Sequence, residues 1–134
     1  MPLVHSILSF MEQRVKILVV EDEPEVRVLV SAVLKQRGYE VLAASDGKEA
    51  LKISREHKGE IHVLLSDVEM PNLDGIGLSE IVAEERPATK VILMSGGLPA
   101  ERTGKVNPAM FVRKPFLIDD LLKKIARVLS AKLS

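Results

Sequence analysis

Cysteine is absent from this 134-residue chain. That excludes disulfides, thiolate nucleophiles and Cys-based zinc sites, and it fits a reducing compartment. A basic excess is absent too: 19 Lys and Arg balance 19 Asp and Glu, for a formal net charge of zero. Domains that grip nucleic acid usually carry surplus positive charge, so direct nucleic-acid binding is not expected. No apolar run approaches the roughly 20 residues that cross a bilayer, so no membrane segment is expected. The opening stretch, MPLVHSILSFMEQR, lacks the basic leader and long apolar core of a signal peptide. No repeat, low-complexity linker or second-domain composition interrupts the chain. What remains is the expectation of a soluble, cytoplasmic, single-domain protein, long enough to bury a core unaided.

Short apolar runs alternate with amphipathic segments. VKILVV (15–20), residues 39–43, IHVLLS (61–66), KVILM (90–94) and AMFVR (109–113) are predicted strands. Their apolar runs are nearly continuous, as in parallel strands buried on both faces. The first predicted helix covers 23–37. Pro24 suits its opening turn, Gly38 suits its end, and Val26, Leu29, Val30, Val33 and Leu34 share one face. The second begins at a Ser45 or Asp46 cap and reaches about residue 57. The third follows an Asp74 cap, turns Leu78, Ile81 and Val82 inward, and stops at Pro87. Ile118, Leu121, Leu122, Ile125, Val128 and Leu129 then mark a helix running to the end. Strand–helix alternation implies right-handed parallel crossovers, and hence an α/β three-layer sandwich around a five-stranded sheet.

In open parallel sheets, sites form beyond the carboxyl ends of the strands, where strand order reverses. The polar residues of this chain gather at such ends. Glu21 and Asp22 follow the first strand, Asp67 the third, Ser95 the fourth and Lys114 the fifth, with Pro115 next. Converging carboxylates repel one another. A hard divalent cation with oxygen ligands and retained waters, magnesium, resolves the repulsion. Lys114 adds a compact positive charge. A metal, a lysine and a hydroxyl around one carboxylate make a pocket suited to three phosphoryl oxygens. Phosphoryl transfer needs little beyond positioning and charge neutralisation, and the carboxylate itself can be the nucleophile. Each residue also has a plainer reading. An acidic pair is commonly a solvated turn, a lone Asp a helix cap and Lys-Pro a turn, and Ser95 before Gly96 and Gly97 is ordinary loop chemistry. Singly these signals are weak; their order at four strand tips gives them weight.

The runs ILVVEDEP, LLSDVEMPNLDG, VILMSGG and FVRKPF resemble the receiver domain of bacterial response regulators, over residues 15–133. The resemblance implies a flavodoxin-like strand order, 2-1-3-4-5. It implies that Asp67 is the phosphoacceptor of a two-component phosphorelay. Glu21 and Asp22 would hold Mg2+, Asp22 the more directly, with Asp67 and the backbone carbonyl of Glu69. Lys114 would contact the phosphoryl group. Ser95, where the family often has Thr, would bond a phosphoryl oxygen after transfer. Phe111 occupies the aromatic switch position, and also reads as a core residue of the fifth strand. A cis Lys114–Pro115 bond is implied as well, proline being the residue that tolerates it. The implied partners are a sensor histidine kinase or a histidine phosphotransfer protein, with weak homodimerisation as a further association.

On this reading the chain is a switch that phosphorylates and dephosphorylates itself, and not a metabolic enzyme. Two alternatives compete. A phosphatase with an aspartyl-phosphate intermediate shares the chemistry. It typically carries its nucleophile on the first strand with a second Asp two residues on; here the nucleophile falls on the third strand and position 69 is Glu. A receiver-like interaction module that takes no phosphoryl group would be expected to lack Asp67 or Lys114, and both are present. Two segments depart from the family pattern. Residues 1–14 form an extension ahead of the 15–133 domain. In it Val4, Ile7, Leu8 and Met11 lie at helical spacing, so a helix packed on the domain or on another chain is expected. Between Ser95 and Lys114, Gly96, Gly97, Pro99, Gly104 and Pro108 oppose a long helix. A shortened or missing fourth helix is therefore expected, favouring a relay or docking role over DNA binding through a receiver dimer.

Overall fold

The computed structural model describes residues 14–97 and 110–133. The expectations for the N-terminal extension and for a shortened fourth helix fall on residues outside these. Five strands, β1 (Lys16–Val20), β2 (Glu40–Ala44), β3 (Val63–Asp67), β4 (Lys90–Ser95) and β5 (Phe111–Arg113), form one parallel sheet. Their order is β2-β1-β3-β4-β5. Among the described residues four helices accompany them: α1 (Pro24–Gln36), α2 (Gly47–Glu56), α3 (Gly75–Glu85) and α4 (Ile118–Leu133). This is the expected flavodoxin-like topology, and its order reverses between β1 and β3.

The two-residue period of a strand builds the layers. Leu18 and Val20 of β1 share a core with Ala50 of α2 and with Ile76, Leu78 and Val82 of α3. Ile17 and Val19 face the other way, into a core with Val30 and Leu34 of α1 and Leu121, Leu122 and Ile125 of α4. Each fully buried Leu or Ile stabilises the fold by about 2 kcal/mol relative to exposure. Two covered faces explain why the strands run apolar without alternation.

Local chemistry sets the boundaries. Pro24 opens α1, and Gly38 (φ +89) follows its end, donating its N–H to the Lys35 carbonyl at 3.0 Å. Of the two candidate caps for α2, Asp46 takes the role and accepts the Glu49 N–H at 2.8 Å. Ser45 bonds the Glu49 carboxylate instead, at 2.9 Å. Asp74 caps α3 through the Gly77 N–H at 2.8 Å. Past the end of α3, the Arg86 guanidinium donates to the carbonyls of Ser54, His57 and Gly59, each at 2.8 Å. Thr89 donates its hydroxyl to the Ile61 carbonyl at 2.6 Å.

Three expectations need correction. Leu29 does not face inward: it is 54% exposed, because Val30 and Leu34 set the rotation of α1. Ile81 is only half-buried, and Ile76 fills the core in its place. β3 begins at Val63 and not at Ile61. At its foot His62 engages β1 through its side chain, Nδ1 accepting the Lys16 N–H at 3.0 Å. No described helix is long and apolar enough to cross a membrane.

Candidate functional site

β1 and β3 run side by side, with Val20 opposite Ser66, so the residues that follow them share one pocket. Glu21, Asp22 and Asp67 each offer a carboxylate oxygen, all within 4.8 Å of one another. Asp67 ends β3 and Glu21 follows β1. Both are buried, while Asp22 stands exposed at the mouth. Glu21 is held at several points. Its N–H donates to the Ala44 carbonyl at 3.1 Å. Its own carbonyl accepts from Arg27 Nη1 at 2.8 Å, and its Oε2 accepts the Glu23 N–H at 3.3 Å.

Lys114 closes the pocket from the β5 side. Its N–H donates to the Ser95 carbonyl at 2.8 Å, and its bond to Pro115 is cis, as the sequence resemblance implies. Nζ lies 2.8 Å from Glu21 Oε1 and 3.4 Å from Asp67 Oδ1. The shorter contact is thus to Glu21. That carboxylate is wholly enclosed, and a buried charge demands a partner.

Burial raises the Asp67 carboxyl to about 7; the Glu21 charge adds to the rise and Lys114 opposes it. Burial works to lower Lys114, but its hydrogen bond to Glu21 and the charges of Asp67 and Glu21 outweigh this and hold it above the usual lysine value. The pocket is therefore short of positive charge. Three carboxylates meet one ammonium, and the donors on offer are all oxygens, the set a hard divalent cation takes. The residues present fit such an ion.

Ser95 ends β4 next to this pocket and is 5% exposed, its neighbour Met94 lying opposite Asp67. Its hydroxyl contacts the Glu69 carboxylate and the backbone of Gly97. Glu69, two residues past β3, is exposed, and its side chain turns to Ser95 and lies outside the carboxylate cluster. Phe111 opens β5 opposite Leu93 and packs, half-buried, against the core that holds Leu93.

Sequence reading gave Gly75 no role. Its N–H donates to the Val68 carbonyl at 2.9 Å, drawing the start of α3 across the end of β3. A Cβ at this position would fall on the Asp67 carbonyl and lie 2.9 Å from Val68 Cα. Both are backbone atoms and cannot step aside. Gly75→Ala is expected to cost about 2 kcal/mol, read as a lower denaturant midpoint at unchanged m. The only hint in sequence is a residue without a side chain directly after the Asp74 cap.

The family model for the response regulator receiver domain matches residues 17–126. The transcriptional regulatory protein PdtaR of Mycobacterium tuberculosis is 32% identical over 118 residues, covering 86% of this chain and 57% of that protein. The probable chemotaxis protein CheY of Rhizobium etli is 32% identical over 126 residues, covering 89% of this chain and 95% of that protein. The crystal structure of a receiver domain protein from Clostridium thermocellum matches with a TM-score of 0.78 at 30% identity, covering 88% of this chain and 96% of that one. The chain spans about half the length of curated relatives such as PdtaR. Strand order, identity and the family match agree along most of the chain, which belongs to the response regulator receiver domains of two-component signalling.

Proposed function

We propose that Asp67 accepts a phosphoryl group from the phosphohistidine of a sensor histidine kinase or histidine phosphotransfer protein. The observation that carries this reading is a buried carboxylate with an ammonium 3.4 Å away and two further carboxylates beside it. An Asp67 carboxylate oxygen attacks phosphorus, the P–N bond to the imidazole breaks, and an acyl phosphate forms. Asp22, Glu21, Asp67 and the Glu69 backbone carbonyl would hold Mg2+, which when bound would neutralise charge on the transferring oxygens. Lys114 stands beside the acceptor to receive a phosphoryl oxygen, and the Ser95 hydroxyl donates to another. Phe111 lies on β5, which pairs with the strand that ends in Ser95, and repacks as that hydroxyl moves. Residues 15–133 form this receiver unit and residues 1–14 an extension to it. The unit recognises protein partners, itself included as a weak homodimer, and does not bind nucleic acid directly.

Incubation with Mg2+ and acetyl phosphate, followed by intact mass measurement, tests the reading. A labile phosphoryl adduct is expected. Sustained turnover of many phosphoesters would assign the chain to the phosphatases instead. No adduct under any condition would leave an interaction module.

A further inference from the structure

We propose that Glu69 is a latch on Ser95: its carboxylate holds the Ser95 hydroxyl in the unphosphorylated protein and competes with the phosphoryl group for it. The inference rests on Asp67 being the phosphoacceptor.

A serine hydroxyl has one proton to give. Here two acceptors lie in reach, Glu69 Oε1 and the Gly97 carbonyl, both at 3.1 Å. The ionised carboxylate is the stronger of the two. The Gly97 N–H donates back to the same Oγ at 3.1 Å, so the hydroxyl also anchors the chain leaving β4. A surface glutamate that merely touches a hydroxyl would mean little. This one lies two residues past Asp67, and its partner is a nearly buried residue at the end of β4. The contact therefore joins the two strand tips between which a phosphoryl group on Asp67 would sit.

A phosphoryl group arriving there brings up to two negative charges and three acceptor oxygens. Ser95 keeps its proton and changes acceptor. The bond to Glu69 breaks, and like charge drives the carboxylate outward. Because Gly97 is bonded to the same oxygen, the exchange is felt by the backbone after β4. The latch thus opposes occupation of the pocket, and its removal favours the occupied state. Glu69 is exposed, so solvent screening brings the effect below the usual range for a hydrogen bond to a charged group, to about five- to tenfold.

Beryllofluoride with Mg2+, titrated into the full chain and followed by NMR, tests this. Glu69→Ala should bind beryllofluoride about five- to tenfold more tightly than the native chain. Glu69→Gln keeps a neutral acceptor and should fall between the two. In a Ser95→Ala background, Glu69→Ala should change nothing. Equal gains with and without Ser95 would show that Glu69 acts by charge alone and overturn the latch. So would unaltered affinity in Glu69→Ala while the native chain binds. A native chain that takes neither beryllofluoride nor phosphoryl would overturn the phosphoacceptor reading, and the latch with it.

Discussion

Asp67→Asn is expected to abolish the phosphoryl adduct completely and, in metal-free buffer, to make the protein more stable. The first effect follows from the amide, which has no nucleophilic carboxylate. The second follows from the pocket. Burial and the Glu21 charge raise the Asp67 carboxyl to about 7, against about 4 in an unfolded chain. The folded protein therefore holds this proton more tightly than the unfolded one. The associated stability is fully present below pH 4 or so and is lost as pH rises through about 7. Asparagine carries no charge to bury, so the variant should exceed the native chain by about 2 kcal/mol at pH 8 and match it near pH 4. The same linkage governs metal. Protons and Mg2+ compete for Asp67, so magnesium affinity should fall about tenfold per unit as pH drops below 7. Denaturant melts of both proteins at pH 4 and 8, with Mg2+ calorimetry between, measure all of this. Equal stability at both pH values would show that Asp67 carries no charge penalty.

Lys114→Ala is expected to separate charge balance from transfer. Removing a donor aimed at developing charge typically costs about 10²–10³ in rate, and uptake from acetyl phosphate should fall by that factor. The truncation also strips Glu21, which is 0% exposed, of the ammonium 2.8 Å away. Breaking a buried pair from one side costs several kcal/mol. Lys114 itself is partly open to water, which reduces this to about 2 kcal/mol in metal-free buffer. Added Mg2+ should restore most of the lost stability, since a cation beside Glu21 is what was removed. It should not restore the rate if, as proposed, the lost N–H donors serve the transferring group. Recovery of both by Mg2+ would assign Lys114 to charge balance alone.

Much of this site was legible in the chain. Glu21, Asp22, Asp67 and Lys114 each stand at the end of an apolar run, and parallel topology brings the ends of such runs together. That the sheet is parallel was legible from the same runs and their alternation with helices, whereas the order β2-β1-β3-β4-β5 was implied only by the resemblance to receiver domains. What escaped were relations through space. Gly75 matters because of the Asp67 carbonyl behind it, which no local pattern announces. Glu69 was read for its backbone oxygen, and its side chain found a partner 26 positions away. Lys114 was read as a phosphoryl contact, and its shorter bond runs to Glu21 because enclosure, invisible in one dimension, makes that carboxylate the needier. Leu29 was assigned inward by hydrophobicity, but its helix turns on Val30 and Leu34.

Arg86 touches nothing in the pocket, yet it bears on how the pocket can respond. Its three bonds to backbone carbonyls fasten the end of α2 and the turn after it to the end of α3, at the rim of the sheet farthest from Asp67. Thr89 and His62 add stitches along the same rim. The other rim has the charges and the strand tips. A molecule laced along one edge, with its charges crowded at the opposite one, is expected to move at the strand tips when the pocket is filled and to keep the laced edge in place, like a book bound at the spine.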